Sequence, residues 1–315
     1  MGTRRSFLIR AGLLAAGLGG AWWLREHVIW PAPDVRFMAN ADPPWLEFAD
    51  DRARAPIVAA IVAGRPVMAL VDSGAQYSVI DRALVTELQL ENTFSIPFLA
   101  YGVGGGSQVG RGVSVDVEVA GVALDGLRTA ILDLGPLAAA EGLSTPLILG
   151  QDVLQRADLW LDLPERRLAF ATPGAVPPWA DLRPAVVRRQ GDALVSDVSI
   201  EGAVTTALVD TGSTSLLALS AAAATEVGLL DGREARESSS LVLGGMIRSQ
   251  VVTARTVTFA DALFRDVEVA IYPEVAGGAY PNGLIGMGAF RGRRAVLRLG
   301  AGELLVSRAM DVDLG

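Results

Sequence analysis

The sequence predicts an all-β protein of two homologous lobes with a few short helices, on three observations. Ala69-Leu70-Val71-Asp72-Ser73-Gly74 returns as Ala207-Leu208-Val209-Asp210-Thr211-Gly212, with only Ser changed to Thr. The features downstream of each copy recur in the same order, at an offset that stays near 138 residues. The intervening chain consists of short apolar or alternating runs punctuated by Gly, Pro and Asp, a pattern of strands joined by tight turns rather than of βαβ units. A length of 315 residues suits two domains of ordinary size. A period this long marks a duplicated domain, since solenoid units are far shorter.

Composition narrows the chemistry. The formal charge is −8, while the first thirty residues are net positive through Arg4, Arg5, Arg10 and Arg25 against Glu26. The body is therefore more acidic still, which argues against a nucleic-acid partner. The chain has no Cys and no Lys, and its single His is His27. That removes Ser-His-Asp triads, Cys-His pairs, Schiff-base and P-loop lysines and His/Cys zinc sites. Metal-ligand spacing is absent, so neither a metal nor an organic cofactor is expected. A carboxylate mechanism, or no catalysis, is what survives.

Residues 1–41 read as a leader and linker. Thr3-Arg4-Arg5-Ser6-Phe7-Leu8-Ile9-Arg10 opens an apolar stretch of about fourteen uncharged residues ending before Arg25. The Arg pair followed by Phe-Leu resembles a twin-arginine export signal. The stretch is short for a span of about twenty residues. Trp22, Trp23 and Trp30 would suit a membrane interface, so an uncleaved leader would anchor the chain. Ala39-Asn40-Ala41 has the small-x-small form of a cleavage site, but it lies far from the apolar stretch. The expected location is the periplasm, or the periplasmic face of the inner membrane.

The elements then follow in two rounds. Residues 42–172 read as the first lobe, residues 173–184, with Pro177-Pro178, as a linker, and residues 185–315 as the second lobe. Strands are expected at 57–63 and 67–71 around a Gly64-Arg65-Pro66 turn, and at 193–200 and 203–209 around Glu201-Gly202. Each apolar run stops on Asp-Ser/Thr-Gly, which delivers a carboxylate from a strand into a tight loop. Short strands at 77–80 and 215–219 precede helices at 82–90 and 221–229. Glycine clusters between β-type runs follow, at Tyr101-Gly102-Val103-Gly104-Gly105-Gly106 and Leu243-Gly244-Gly245-Met246. Each round then reaches Leu147-Ile148-Leu149-Gly150 or Leu284-Ile285-Gly286, a short helical turn, and a closing hairpin at 159–170 or 295–306. Arg291, Arg293 and Arg294 read as a solvated turn, and Asp152 as a helix-start carboxylate or a lobe-interface residue.

Asp-Ser/Thr-Gly after an apolar strand, a glycine-rich hairpin, then apolar-apolar-Gly resembles the aspartic proteases over about residues 50–308. Asp72-Ser73-Gly74-Ala75 is similar to the retropepsin form, and Asp210-Thr211-Gly212-Ser213 to the second lobe of pepsin. The resemblance implies a bilobal acid-protease fold, two retropepsin-like β-barrel lobes fused in one chain, so that a monomer suffices for the site. It implies that Asp72 and Asp210 form a catalytic dyad acting on a peptide or protein substrate. Ser73 and Thr211 would then bond across the two loops, with Gly74 and Gly212 allowing close backbone approach. Tyr101, Gly102, Gly104 and Gly105, and more weakly Gly244 and Gly245, would belong to substrate-binding flaps.

Ser213 can hydrogen-bond a carboxylate and Ala75 cannot, so the charge of the pair is expected on Asp210 and the proton on Asp72. The functional expectation is an exported aspartic endopeptidase. The alternative is a non-catalytic peptide-binding or scaffolding envelope protein on the same fold.

Overall fold

The computed structural model describes residues 30–38, 42–49, 55–101, 107–139, 144–242, 245–273 and 281–308. With 52% strand against 10% helix, the protein is mostly β, as its sequence predicts. The first lobe contains β1 (Asp34–Phe37), β2 (Leu46–Glu47), β3 (Ile57–Val62), β4 (Arg65–Val71), β5 (Val79–Asp81), β6 (Thr93–Tyr101), β7 (Ser107–Val119), β8 (Val122–Leu132) and β9 (Leu147–Leu149). Strands β8, β5, β9, β4, β3 and β7 pair in that order, and β7 returns to β8, closing a ring. β1 lies outside β8 and β6 outside β7.

After β10 (Asp158–Asp162), β11 (Arg167–Ala171), β12 (Leu182–Pro184) and β13 (Arg188–Gln190), the second lobe repeats the plan. Here β14 (Ala193–Ile200), β15 (Ala203–Val209), β20 (Gly283–Ile285), β16 (Leu217–Ser220), β19 (Ala262–Tyr272) and β18 (Gly245–Phe259) close the ring through β14–β18 pairing. β17 (Ala235–Val242) lies outside β18.

The first hairpin of each ring turns on two residues with left-handed backbone. These are Ala63-Gly64 at φ +48° and +81°, and Glu201-Gly202 at φ +50° and +91°. Such pairs match the right-handed twist of the flanking strands. The first turn falls one residue earlier than Gly64-Arg65-Pro66, because Arg65 and Pro66 already pair with Val62 and Ile61.

Helix α1 (Arg82–Glu87) is capped by Asp81, which accepts from the Ala83 N–H at 2.9 Å. α2 (Gln151–Leu154) follows β9, and α3 (Ala221–Glu226) is capped by Ser220. Both α1 and α3 stop short of the expected 90 and 229. Gln89 and Gly228 take left-handed φ of +52° and +74°, which ends a helix.

A third sheet joins the lobes. Its order is β12, β22 (Glu303–Ser307), β21 (Arg294–Arg298), β10, β11, β2. The seam is the antiparallel β10–β21 pair, with Leu159 opposite Leu297 and Leu161 opposite Ala295. Asp162, 1% exposed in its side chain, is flanked by Arg167 at 3.0 Å and Arg294 at 3.3 Å. Arg298 crosses the seam to Asp158 at 2.9 Å. Charges this buried cost desolvation and hold only with good geometry, so they fix register more than they add stability.

Four expectations are corrected. Residues 34–37, within the stretch read as an extended linker, form a strand that pairs on the outer side of β8, with Asp34 opposite Asp125 and Phe37 opposite Val122. Residues 182–184, read as linker, pair with β22. Trp30 is not an interfacial residue: it is 3% exposed, and its indole N–H donates to Asp152 Oδ2 at 3.1 Å. Arg293 is buried, its guanidinium donating to the Ser307 carbonyl at 2.8 and 2.6 Å, a forked match that a planar guanidinium makes readily.

Among the described residues no helix is long and apolar enough to cross a membrane, and the leader's residues 1–29 lie outside them. A chain begun at Asp42, beyond the small-x-small motif, loses both β1 and Trp30. It is expected to unfold at clearly lower denaturant than a chain begun at Trp30. Equal midpoints would mean the segment adds nothing to the lobe.

Candidate active site

Strands β4 and β9 run parallel, with Val71 beside Leu149, and β15 and β20 repeat the arrangement with Val209 beside Ile285. Each pair extends one step into the following loop. Asp72 N–H donates to the Leu149 carbonyl and Asp210 N–H to the Ile285 carbonyl, both at 2.9 Å. The two carboxyls thus leave equivalent strands by equivalent routes and meet between the lobes, each packed against the glycine of the other lobe's loop.

The loops hold one another reciprocally. Ser73 N–H donates to Thr211 Oγ1 at 2.9 Å, and Thr211 N–H to Ser73 Oγ at 3.0 Å. Ser73 Oγ donates in turn to the Val209 carbonyl at 2.8 Å, and Thr211 Oγ1 to the Val71 carbonyl at 2.7 Å. Ser73 and Thr211 are 2% and 0% exposed, so all four bonds are made away from water. Buried polar groups are costly when unpaired, which makes the arrangement close to all-or-none.

Glycine is required at the contact. A Cβ on Gly74 would lie 2.7 Å from the Asp210 carboxyl carbon, and one on Gly212 would lie 2.5 Å from that of Asp72. Each glycine therefore packs against the other lobe's carboxyl. Beneath the loops, a Cβ on Gly150 would meet the Ala75 carbonyl oxygen at 2.7 Å, and one on Gly286 would meet the Ser213 carbonyl oxygen at a similar clash distance. Backbone bonds tie these floors to the loops, Gln151 N–H to the Ala75 carbonyl and Met287 N–H to the Ser213 carbonyl, both at 2.8 Å.

The inner oxygen of each carboxyl receives two backbone N–H groups. Asp72 Oδ1 accepts from Gly74 at 2.8 Å and Ala75 at 3.2 Å, and Asp210 Oδ1 accepts from Gly212 at 2.9 Å and Ser213 at 3.2 Å. Burial nonetheless pushes both carboxyls above the ordinary carboxylate range, Asp210 further because the Asp72 charge faces it. Like charges this close cannot both ionise, so the pair titrates as one unit holding a single proton.

The premise for placing the charge on Asp210 is corrected. Ser213 Oγ bonds to Ser215 Oγ at 3.0 Å, in space that Gly286 leaves free, and not to Asp210. With matched backbone donors on both carboxyls, the loops themselves favour neither as the resting place of the proton.

Two polar residues, Gln151 and Ser78, escaped the sequence reading. Gln151, 4% exposed, donates from Nε2 to the Ser73 carbonyl at 2.8 Å and braces the grip from below. Its counterpart, Met287, has no amide to offer. Ser78 Oγ accepts from Gly150 N–H at 3.1 Å and donates to Asp152 Oδ1 at 2.7 Å. Asp152 thus belongs within the first lobe rather than at the lobe interface, and burial raises its carboxyl. The one available signal was the polar pair Gln151-Asp152 directly after the first apolar-Gly element.

Of the flap candidates, Tyr101 ends β6 opposite Ser107, and Gly245 opens β18 opposite Val242. Gly102, Gly104, Gly105 and Gly244 lie outside the described residues, as does the Tyr101 side chain.

Two β-rings joined by an inter-lobe sheet, each presenting an Asp from a strand-end loop, define the bilobal acid-protease class. The aspartyl protease family model matches twice, at residues 58–153 and 196–289, which together span more than half of the chain. The chain belongs to the aspartyl protease family. No curated protein sequence matches it significantly.

Thr211→Val removes the hydroxyl while keeping the shape, leaving Ser73 N–H and the Val71 carbonyl unpaired. Denaturation should show a loss of about 1–3 kcal/mol, with Thr211→Ser close to wild type. The raised carboxyls give a second expectation. A group whose folded pKa is raised stabilises the fold fully below its unfolded pKa and loses that contribution as pH rises through the folded value. Asp210→Asn should therefore raise the unfolding temperature at neutral pH and raise it less in acid. A gain larger in acid would contradict the shared-proton assignment.

Proposed function

We propose that this chain is an exported aspartic endopeptidase that hydrolyses peptide bonds with a water activated between Asp72 and Asp210. The observation that carries the reading is the pair itself, two carboxyls that meet between the lobes, both pushed up by burial and held by matched loops. A pair with one proton has the two groups that uncatalysed peptide hydrolysis lacks. The ionised member removes a proton from water, and the protonated member donates to the carbonyl oxygen as the tetrahedral centre forms. The proton taken from water then passes to the departing amine as the C–N bond breaks. The other carboxyl takes back a proton from a hydroxyl of the tetrahedral centre as the carbonyl re-forms, and the pair returns to its starting charge.

Substrate is an extended segment of a periplasmic or membrane protein, lying across the pair and under the hairpins that end at Tyr101 and begin at Gly245. The twin-arginine-type leader supplies the export step, and retention of that leader would place the enzyme at the membrane face. One chain supplies both lobes, so the site needs no partner subunit and no cofactor.

Peptide-library cleavage by the full chain tests the reading. Asp72→Asn and Asp210→Asn should each lower kcat by about 10²-fold or more. The profile of kcat/KM against pH should be bell-shaped, rising as the first carboxyl of the pair ionises and falling as the second does. The falling limb should lie above the ordinary carboxylate range. Ser213→Ala should leave the rising limb in place, since its hydroxyl bonds to Ser215. Peptide binding without cleavage throughout the acid-to-neutral range would favour the scaffold instead.

A further inference from the structure

The two lobes differ on the side of the sheet that bears the carboxyls. Strand alternation puts Leu70 on the same side as Asp72. Leu70 sits beside Ile148, and Ile148 beside Val79, so the three form one apolar patch next to the carboxyl. The second lobe has the same patch in the same register, Leu208 beside Leu284 and Leu284 beside Ala218.

Their exposure is not the same. Leu70, Val79 and Ile148 are 6%, 5% and 4% exposed and pack in one cluster with Trp30, whereas Leu208 and Leu284 are only half-buried.

Trp30 has a seat that only the first lobe provides. Its ring lies 4.5 Å from that of Tyr77 and 5.9 Å from that of Phe94, centroid to centroid, and its N–H is taken by Asp152. Tyr77 stands five residues after Asp72, and the matching residue after Asp210 is Ser215. Asp152 stands two residues after Gly150, and the matching residue after Gly286 is Gly288. The second lobe offers neither the aromatic platform nor the acceptor. With its ring packed against two aromatic rings and its N–H satisfied in a buried site, Trp30 is a fixed wall rather than a segment waiting to leave.

We propose that Trp30 fills the first-lobe flank of the cleft and makes apolar recognition one-sided. A large apolar side chain is accepted against Leu208 and Leu284, and only a small one against the wall that Trp30 covers. The pseudo-twofold axis passes between Asp72 and Asp210, so the two walls face residues on opposite sides of the scissile bond. Trp30 is thus a specificity-determining residue. The proposal rests on the reading of the cleft as a peptide site, and its test does not require cleavage.

Matched peptides are compared that carry Leu or Gly on one side of the bond, then on the other, by calorimetric binding to full-length Asp210→Asn and by cleavage with the parent chain. The parent should favour Leu over Gly on one side only, by about tenfold, the worth of burying one large side chain. Trp30→Ala should gain a preference of similar size on the second side, and Leu284→Ala should lose the first. Trp30→Phe, which keeps the filling and the fold, should retain the parent's one-sidedness even if Trp30→Ala proves unstable. Equal preference on both sides in the parent, no binding of either peptide, or one-sidedness lost in Trp30→Phe would overturn the proposal. One-sided binding without cleavage would sustain it while refuting proteolysis.

Discussion

Everything in this molecule answers to one electrostatic constraint, the holding of two part-buried carboxyls close together where little water screens them. Repulsion between them and loss of hydration both favour separation, so the fold must supply a rigid opposing geometry. It does so with two kinds of contact. Four buried hydrogen bonds between Ser73 and Thr211 and the facing backbones fix the loops to each other. Gly74 and Gly212, packed directly on the opposing carboxyls, set how closely the loops approach. Neither contact can be made by one lobe, so the site exists only when both rings are assembled in register.

That register is set some distance away, in the inter-lobe sheet. A ladder between β10 and β21 makes the lobes one continuous hydrogen-bonded body, and Asp158 and Asp162 reach across it to Arg298 and Arg294. Sliding this ladder by a residue would invert its side-chain faces and strand those charges, so few alternative dockings compete. Its partner strands come from both ends of both lobes, with β2 at one edge and β12 at the other. The chain segments that look like linkers are thereby drawn into the joint.

The duplicated plan was legible because it is written in periodicity and turn chemistry. Strands 193–200 and 203–209 fall where alternation and Glu201-Gly202 place them, and the order of elements after Asp72 and Asp210 repeats as read. The meeting of Ser73 with Thr211 followed from a paired motif with hydroxyls at one position. What the sequence could not show is where an isolated side chain finds its partner across the fold. Trp30 carries no local signal that separates a membrane-interface tryptophan from a buried one, since its seat is built by Tyr77, Phe94 and Asp152 from later in the chain. Arg293 read as solvated because the carbonyls that receive it, Ser307 in β22 and Ala260 in the turn between β18 and β19, lie elsewhere in the chain. The Ser213 hydroxyl could reach a carboxylate by composition alone, but the space left by Gly286 offered Ser215 as a nearer partner.

The distribution of asymmetry between the lobes has a physical logic. Around the carboxyls the two copies agree closely, with backbone donors to Asp72 at 2.8 and 3.2 Å and to Asp210 at 2.9 and 3.2 Å. A repulsive pair tolerates little change, because any shift in one loop is felt by the other through the shared grip. Divergence instead accumulates one step outward, where Gln151 corresponds to Met287, Asp152 to Gly288 and Tyr77 to Ser215. These positions touch the flanks of the site without touching its charge. A fused chain can vary them singly, whereas a homodimer must change both flanks at once. Covalent duplication therefore permits a symmetric carboxyl pair to sit between two unlike walls, and Trp30 is the largest residue by which this chain makes them unlike.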